Sequence, residues 1–166
     1  MDTKRVIFVG GETEGLNRFS KYLESRGKVW HLNMNNMLGK IATEYFHVER
    51  KVENEGVKEV NPEYFQLVED LRNLVTLDLG YELQYVGEGI KRLLDDKETG
   101  TLVVHRSNEE TRKAMVSEDC DKKLENLNVY RFWIGKADEA PEEYDRVIYP
   151  NSEHFDNILD NYFDEE

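Results

Sequence analysis

Val6-Ile7-Phe8-Val9-Gly10-Gly11-Glu12-Thr13-Glu14-Gly15-Leu16-Asn17-Arg18 is the stretch on which the fold turns. A short β-branched and aromatic run ended by glycines reads as a buried strand. Leu16, Phe19, Tyr22 and Leu23 then recur at helical spacing, and Gly27 closes that helix. A strand, two glycines five residues apart and a helix have the layout of a phosphate-binding loop, Gly-x4-Gly-Lys-Ser/Thr, in which Lys reaches the outer phosphates and the hydroxyl binds Mg²⁺. Leu16 holds the Lys position here and Asn17 the hydroxyl position, while Glu12 and Glu14 add negative charge. Gly10, Gly11, Thr13, Gly15, Leu16 and Asn17 are the candidate phosphate-binding residues, acting through backbone N–H groups and the helix dipole.

Further along, apolar runs alternate with helical periodicity. Short strands are expected at residues 29–32, 101–105, 128–134 and 146–149. Asn33 is an N-cap candidate for a helix carrying Met37, Leu38, Ile41, Ala42, Tyr45 and Phe46. Residues 48–60 are charged with little apolar signal and read as an exposed loop. Asn61-Pro62-Glu63 is a helix start, with Pro at the first helical position. The broad apolar face that follows is broken or bent at Gly80 before a helix through Ile90, Leu93 and Leu94. Ser107-Asn108 caps another helix, and Asn151 or Ser152 caps a last one carrying Phe155, Ile158, Leu159, Tyr162 and Phe163.

Strands alternating with helices predict a three-layer α/β domain over residues 1–166, with a mostly parallel five-stranded sheet and a loop-and-helix insertion at 48–95. In such sheets ligands sit at the carboxyl ends of the strands. Those ends carry residues 10–15, His105-Arg106-Ser107 and Pro150-Asn151-Ser152.

The chain has a formal net charge of −13. From residue 138 onward eleven acids stand against one base, Arg146. That balance excludes a general electrostatic footprint for nucleic acid. The acidic end reads first as a solvated helix and tail, and second as a surface for a basic protein partner. No apolar run reaches the ~20 residues that a membrane helix needs. A single cysteine, Cys120 between Asp119 and Asp121, forms no internal disulfide and fits a reducing cytosol. The histidines His31, His47, His105 and His154 show no metal-ligand spacing, so no metal site is expected.

The order of segments resembles the phage-type deoxynucleoside monophosphate kinases, a family of P-loop nucleotide kinases. The likeness rests on the strand and glycines of residues 4–17, and on His31-Leu32-Asn33-Met34 leading into Leu38-Gly39-Lys40-Ile41-Ala42. It continues through Leu71-Arg72-Asn73-Leu74 to Leu79-Gly80-Tyr81-Glu82, Val103-Val104-His105-Arg106-Ser107-Asn108-Glu109, and Tyr144-Asp145-Arg146-Val147-Ile148-Tyr149-Pro150-Asn151. The resemblance implies a nucleotide ligand, a substrate phosphate held by Arg72 and Arg106, a homodimer, and ATP with Mg²⁺ where the protein is active. The departures are Leu16, Asn17, His105 in place of the family's acid near Mg²⁺, and no arginine-rich lid, only Arg112, Arg131 and Lys122-Lys123.

Two function classes follow. One is a catalytically degenerate nucleotide-kinase-like protein that binds a partner or senses a nucleotide. The other is a working kinase in which Arg18, one turn into the helix, or a lid residue replaces the missing lysine, with Arg106 as the second catalytic candidate. A weaker third is an acidic decoy for a DNA-binding protein. His105 is placed as a base at a strand end, and more simply as a structural residue.

Overall fold

The structure is a computed structural model that describes residues 4–77, 79–115, 127–151 and 153–164, with the side chains of 75–81 and 164 left aside. Five parallel strands form one sheet: β1 (Lys4–Gly11), β2 (Lys28–Asn33), β5 (Thr99–His105), β6 (Leu127–Ile134) and β7 (Arg146–Ile148), in the order β2-β5-β1-β6-β7. The five expected strands are these five, and α/β with helices on both faces is the architecture. β3 (Lys51–Asn54) and β4 (Val57–Val60) pair separately as an antiparallel hairpin.

Alternation along β1 shows why both faces are covered. Ile7 and Val9 point to one layer with Val103, Phe132, Ile134 and Ile148 of the neighbouring strands. There they meet Phe19, Tyr22 and Leu23 of α1 (Thr13–Arg26) and Phe155, Leu159 and Phe163 of α6 (Phe155–Asp164). Val6 and Phe8 point the other way with Leu102 and Val104. This second layer is Met34 of α2 (Met34–Glu44), Val86, Ile90 and Leu93 of α4 (Leu79–Asp95), and Met115 of α5 (Glu109–Met115). Each fully buried Phe, Leu or Ile contributes about 1.5–3 kcal/mol relative to exposure, and eight of the buried side chains here are Phe19, Phe8, Phe132, Phe155, Leu93, Leu102, Ile7 and Ile134.

Several local readings hold. Asn33 caps α2, its side chain accepting from the Asn35 N–H at 2.9 Å. Pro62 opens α3 (Pro62–Leu77), with the Asn61 carboxamide accepting from the Glu63 N–H. Asn108 rather than Ser107 supplies the α5 cap, accepting from Thr111 N–H at 2.8 Å. Gly27 is the C-cap of α1, in extended backbone that leads straight into β2.

Four expectations are corrected. Residues 51–60 are a hairpin rather than a loop: Glu55 (φ 53°) and Gly56 (φ 81°) make a two-residue turn with both central residues left-handed. Within the insertion expected at residues 48–95, α4 buries one face in the second layer, while α3 packs on α2 through Leu71. The broad apolar face expected after Pro62 is not buried throughout, because its Phe65 and Leu74 are exposed. α3 ends at Leu77 and α4 begins at Leu79, so Gly80, expected to break or bend the face, lies within the first turn of α4. α6 begins at Phe155, past both expected caps, of which Ser152 lies outside the described residues, as do Cys120, Lys122 and Lys123.

Among the described residues no helix is long and apolar enough to cross a membrane. Acids near the C-terminus are partly spent inside the fold: Asp160 pairs with Arg26 at 2.6 Å, Asp145 with Arg131 at 3.3 Å, and Glu143 with Arg112.

Candidate functional site

The chain leaves β1 toward β2 on one side and leaves β5 toward β6 on the other. The carboxyl ends of β1 and β5 are therefore a topological switch point, where open α/β sheets bind ligands. A cleft of ≈ 400 Å³ opens there. Its floor is Val9, Gly10 and Gly11; α1 supplies Thr13, Leu16, Asn17 and Ser20; β2 and β5 supply Asn33, His105 and Arg106; Trp133 and Tyr144 close the far side.

The expected glycine loop is not a loop. β1 runs to Gly11 and α1 starts at Thr13, so the connection is the single residue Glu12. The Glu12 N–H donates to the Ile134 carbonyl at 2.9 Å, which removes one amide from any anion. Gly15 lies inside the first turn of the helix and packs on β6: a Cβ there would stand 2.7 Å from Ile134 Cγ2 and 2.9 Å from Pro150 Cβ. The two motif glycines thus answer to close packing, at Gly10 against Tyr144 and Trp133 and at Gly15 against Ile134 and Pro150. A wrap of successive amides around a phosphate has no chain to form it.

Gly10, Gly11, Thr13, Leu16, Asn17 and Arg106 come together at the cleft, whereas Gly15, Arg18 and Arg72 do not line it. Arg18 turns away, donating to the Pro150 carbonyl at 2.5 Å and lying 4.6 Å over the Phe155 ring. Arg72 is close enough to Glu82 to act on its carboxyl electrostatically. Of the two described lid cations, Arg131 pairs with Asp145. Arg112 is buried, donating to Glu143 and to Ser107 O, with its guanidinium 4.6 Å over Tyr144. Glu12 and Glu14 are absent from the lining, and Glu12 Cγ leans toward Gly135.

What remains is a cleft that, among the described residues, has no lining carboxylate, in a strongly acidic protein. Arg106 is exposed at its rim and holds a left-handed φ of 61°, a conformation that costs a non-glycine residue about 1 kcal/mol. The N-terminus of α1 adds partial positive charge. Trp133 and Tyr144 stand 5.4 Å apart with planes inclined at 60°, and the Trp133 indole donates to the Lys136 carbonyl at 3.1 Å. Burial pushes the Tyr144 hydroxyl above its ordinary range.

His105 is the residue whose weight the sequence understates. Its Nε2 lies 3.0 Å from His31 Nδ1, and His31 Nε2 lies 3.2 Å from Glu24 Oε1. Burial first, then the charges of His31 and Arg106, hold the His105 imidazole down at about 4. Unfolding frees it to bind a proton, so between about pH 4 and pH 6.5 the unfolded chain holds more protons than the folded one. Stability therefore falls as pH drops through this window. Discounted for the partial exposure of the ring, the loss is about 1–2 kcal/mol. Urea midpoints measured across that range should fall toward acid in the native protein and fall less in His105→Asn; equal slopes would show that His105 does not contribute.

Among the described residues no group of three His, Cys, Asp or Glu side chains converges as a metal site. The sequence matches no protein-family profile and no curated protein.

Proposed function

We propose that the protein is a nucleotide-kinase-like protein that holds a phosphorylated nucleoside in the β1–β5 cleft and transfers no phosphoryl group. The observation that carries this reading is the cleft at the switch point, which no carboxylate lines among the described residues, with Arg106 held left-handed at its rim. A cation, a helix N-terminus and neutral donors from Thr13, Asn17, Ser20 and Asn33 suit an anionic group, and Trp133 with Tyr144 offers an aromatic wall for a base. Transfer is a different matter. It depends on positioning and on neutralising charge on the moving phosphate, and the single-residue connection at Glu12, with Leu16 and Asn17 in the motif positions, supplies neither Lys nor a Mg²⁺ hydroxyl.

Thermal melts with each deoxynucleoside monophosphate, run beside a Mg²⁺-ATP turnover assay, test this. At ligand about 100-fold above Kd the stabilisation should approach 2.7 kcal/mol. The same mixtures should form no ADP above buffer, and Arg106→Ala should lose most of the melt shift. Steady turnover abolished by Arg106→Ala would establish the working-kinase reading instead.

A further inference from the structure

We propose that a tetrahedral dianion, the phosphate end of such a ligand, enters the cleft together with one proton that is held on the His31–His105 pair. The proposal rests on the anion reading of the cleft and deepens it.

The ring nitrogens His31 Nδ1 and His105 Nε2 are 3.0 Å apart, with centroids 5.3 Å apart and planes inclined at 28°. Two nitrogens at that separation share one proton, because two lone pairs or two N–H bonds facing each other repel. The Glu24 carboxylate, 3.2 Å from His31 Nε2, fixes the rest of the chain. It accepts from His31 Nε2–H, so His31 Nδ1 accepts from His105 Nε2–H, and His105 Nδ1 is left as a lone pair. The neutral chain thus has one vacant basic position, on the ring that lines the cleft. A proton taken from solvent there makes His105 an imidazolium, donating from both nitrogens, and no bond other than that N–H forms.

The charged groups around His105 decide when this happens. β1 brings Val9 and Gly10, and α1 brings Asn17 and Ser20, none of them ionisable. The ionisable neighbours are His31 on β2, Arg106 at the end of β5 and Glu24 of α1, whose carboxylate meets His31 Nε2. Without a ligand, Arg106, His31 and burial all oppose a second positive charge. A dianion beside Arg106 reverses the balance, so binding draws in the proton and acid strengthens binding.

Calorimetric titration of the native protein with inorganic sulfate, whose charge is constant through this range, reads the coupling. Sulfate should bind about tenfold tighter at about pH 5.5 than at about pH 7.5. His105→Asn should bring that ratio near one, whereas His31→Asn, which keeps His105 Nδ1 and removes an opposing charge, should keep it. In the native protein the His105 ring resonances should titrate at higher pH with sulfate than without. Equal affinities at the two pH values, or a pH ratio that survives in His105→Asn, would overturn the proposal while leaving anion binding intact. Absence of sulfate and nucleotide binding at either pH would overturn this proposal and the function above alike.

Discussion

Gly11→Ala should destabilise the fold by about 3 kcal/mol or more and lower Tm by about 6–12 °C. Gly11 holds a φ of 128°, outside what an L side chain adopts, and a Cβ there would stand 2.1 Å from the Ile134 carbonyl oxygen. The obstacle is backbone, so no rotamer change relieves it. Relief requires opening the last pairing of β1 with β6, Gly11 opposite Ile134, together with the Glu12 N–H bond to Ile134. Gly10→Ala is the informative contrast. Its Cβ would meet the Tyr144 hydroxyl at 2.8 Å and the Trp133 ring at 3.0 Å, both of them side chains. That substitution should cost about 1–2 kcal/mol and disturb the cleft wall more than the fold. Urea denaturation of the two variants checks the order; a Gly11→Ala protein as stable as Gly10→Ala would show that the β1–α1 junction is not this tight.

Arg112→Ala should cost about 3–5 kcal/mol, because it leaves the Glu143 carboxylate buried without its cation. Both side chains are nearly sealed, 7% and 6% exposed. Burial alone would push Glu143 up, yet its own backbone N–H and Arg112 outweigh that and hold it below the ordinary carboxylate range. This contribution is therefore present above the unfolded carboxylate pKa and disappears as the pH falls through the folded one. Replacing both partners, Arg112→Met with Glu143→Leu, should recover most of the loss, since an apolar pair carries no desolvation penalty. Denaturation of both singles and the double closes the cycle. If the double is as unstable as Arg112→Ala, the role of Arg112 is packing and not charge. Arg112 also touches the site, since its guanidinium lies over the Tyr144 ring that forms the aromatic wall. Arg112→Ala should loosen ligand binding as well as the fold.

The central strands β1 and β5 were legible because each is a short run buried on both faces, as Val6-Ile7-Phe8-Val9 shows. The helix starts at Asn33 and Pro62 were legible because capping is local chemistry. The hairpin escaped notice because all of its strand residues are exposed, which leaves no buried face to impose alternation; the Glu55-Gly56 turn was the available signal. The placement of α4 depends on which strand the crossover from β2 returns to, a fact of topology that periodicity does not carry.

The candidate site divides in the same way. Glycine spacing pointed to the right edge of the sheet and to the wrong conformation. A glycine in the sequence says that something comes close, and here the neighbours are Ile134, Pro150, Tyr144 and Trp133. Arg106 was found at its strand end. His31 and His105 stand 74 residues apart and meet only through β2–β5 pairing, so inspection of histidine spacing could not join them. Trp133 and Tyr144 carry no pattern that separates a cleft wall from a core.

The most direct test of a cleft that binds without transferring is an amide and indole NMR titration with a deoxynucleoside monophosphate. The account predicts saturable shifts at Gly10, Asn17, Ser20, His105, Arg106 and the Trp133 indole N–H. Unchanged spectra at millimolar ligand, or shifts confined to residues away from the β1–β5 edge, would contradict it.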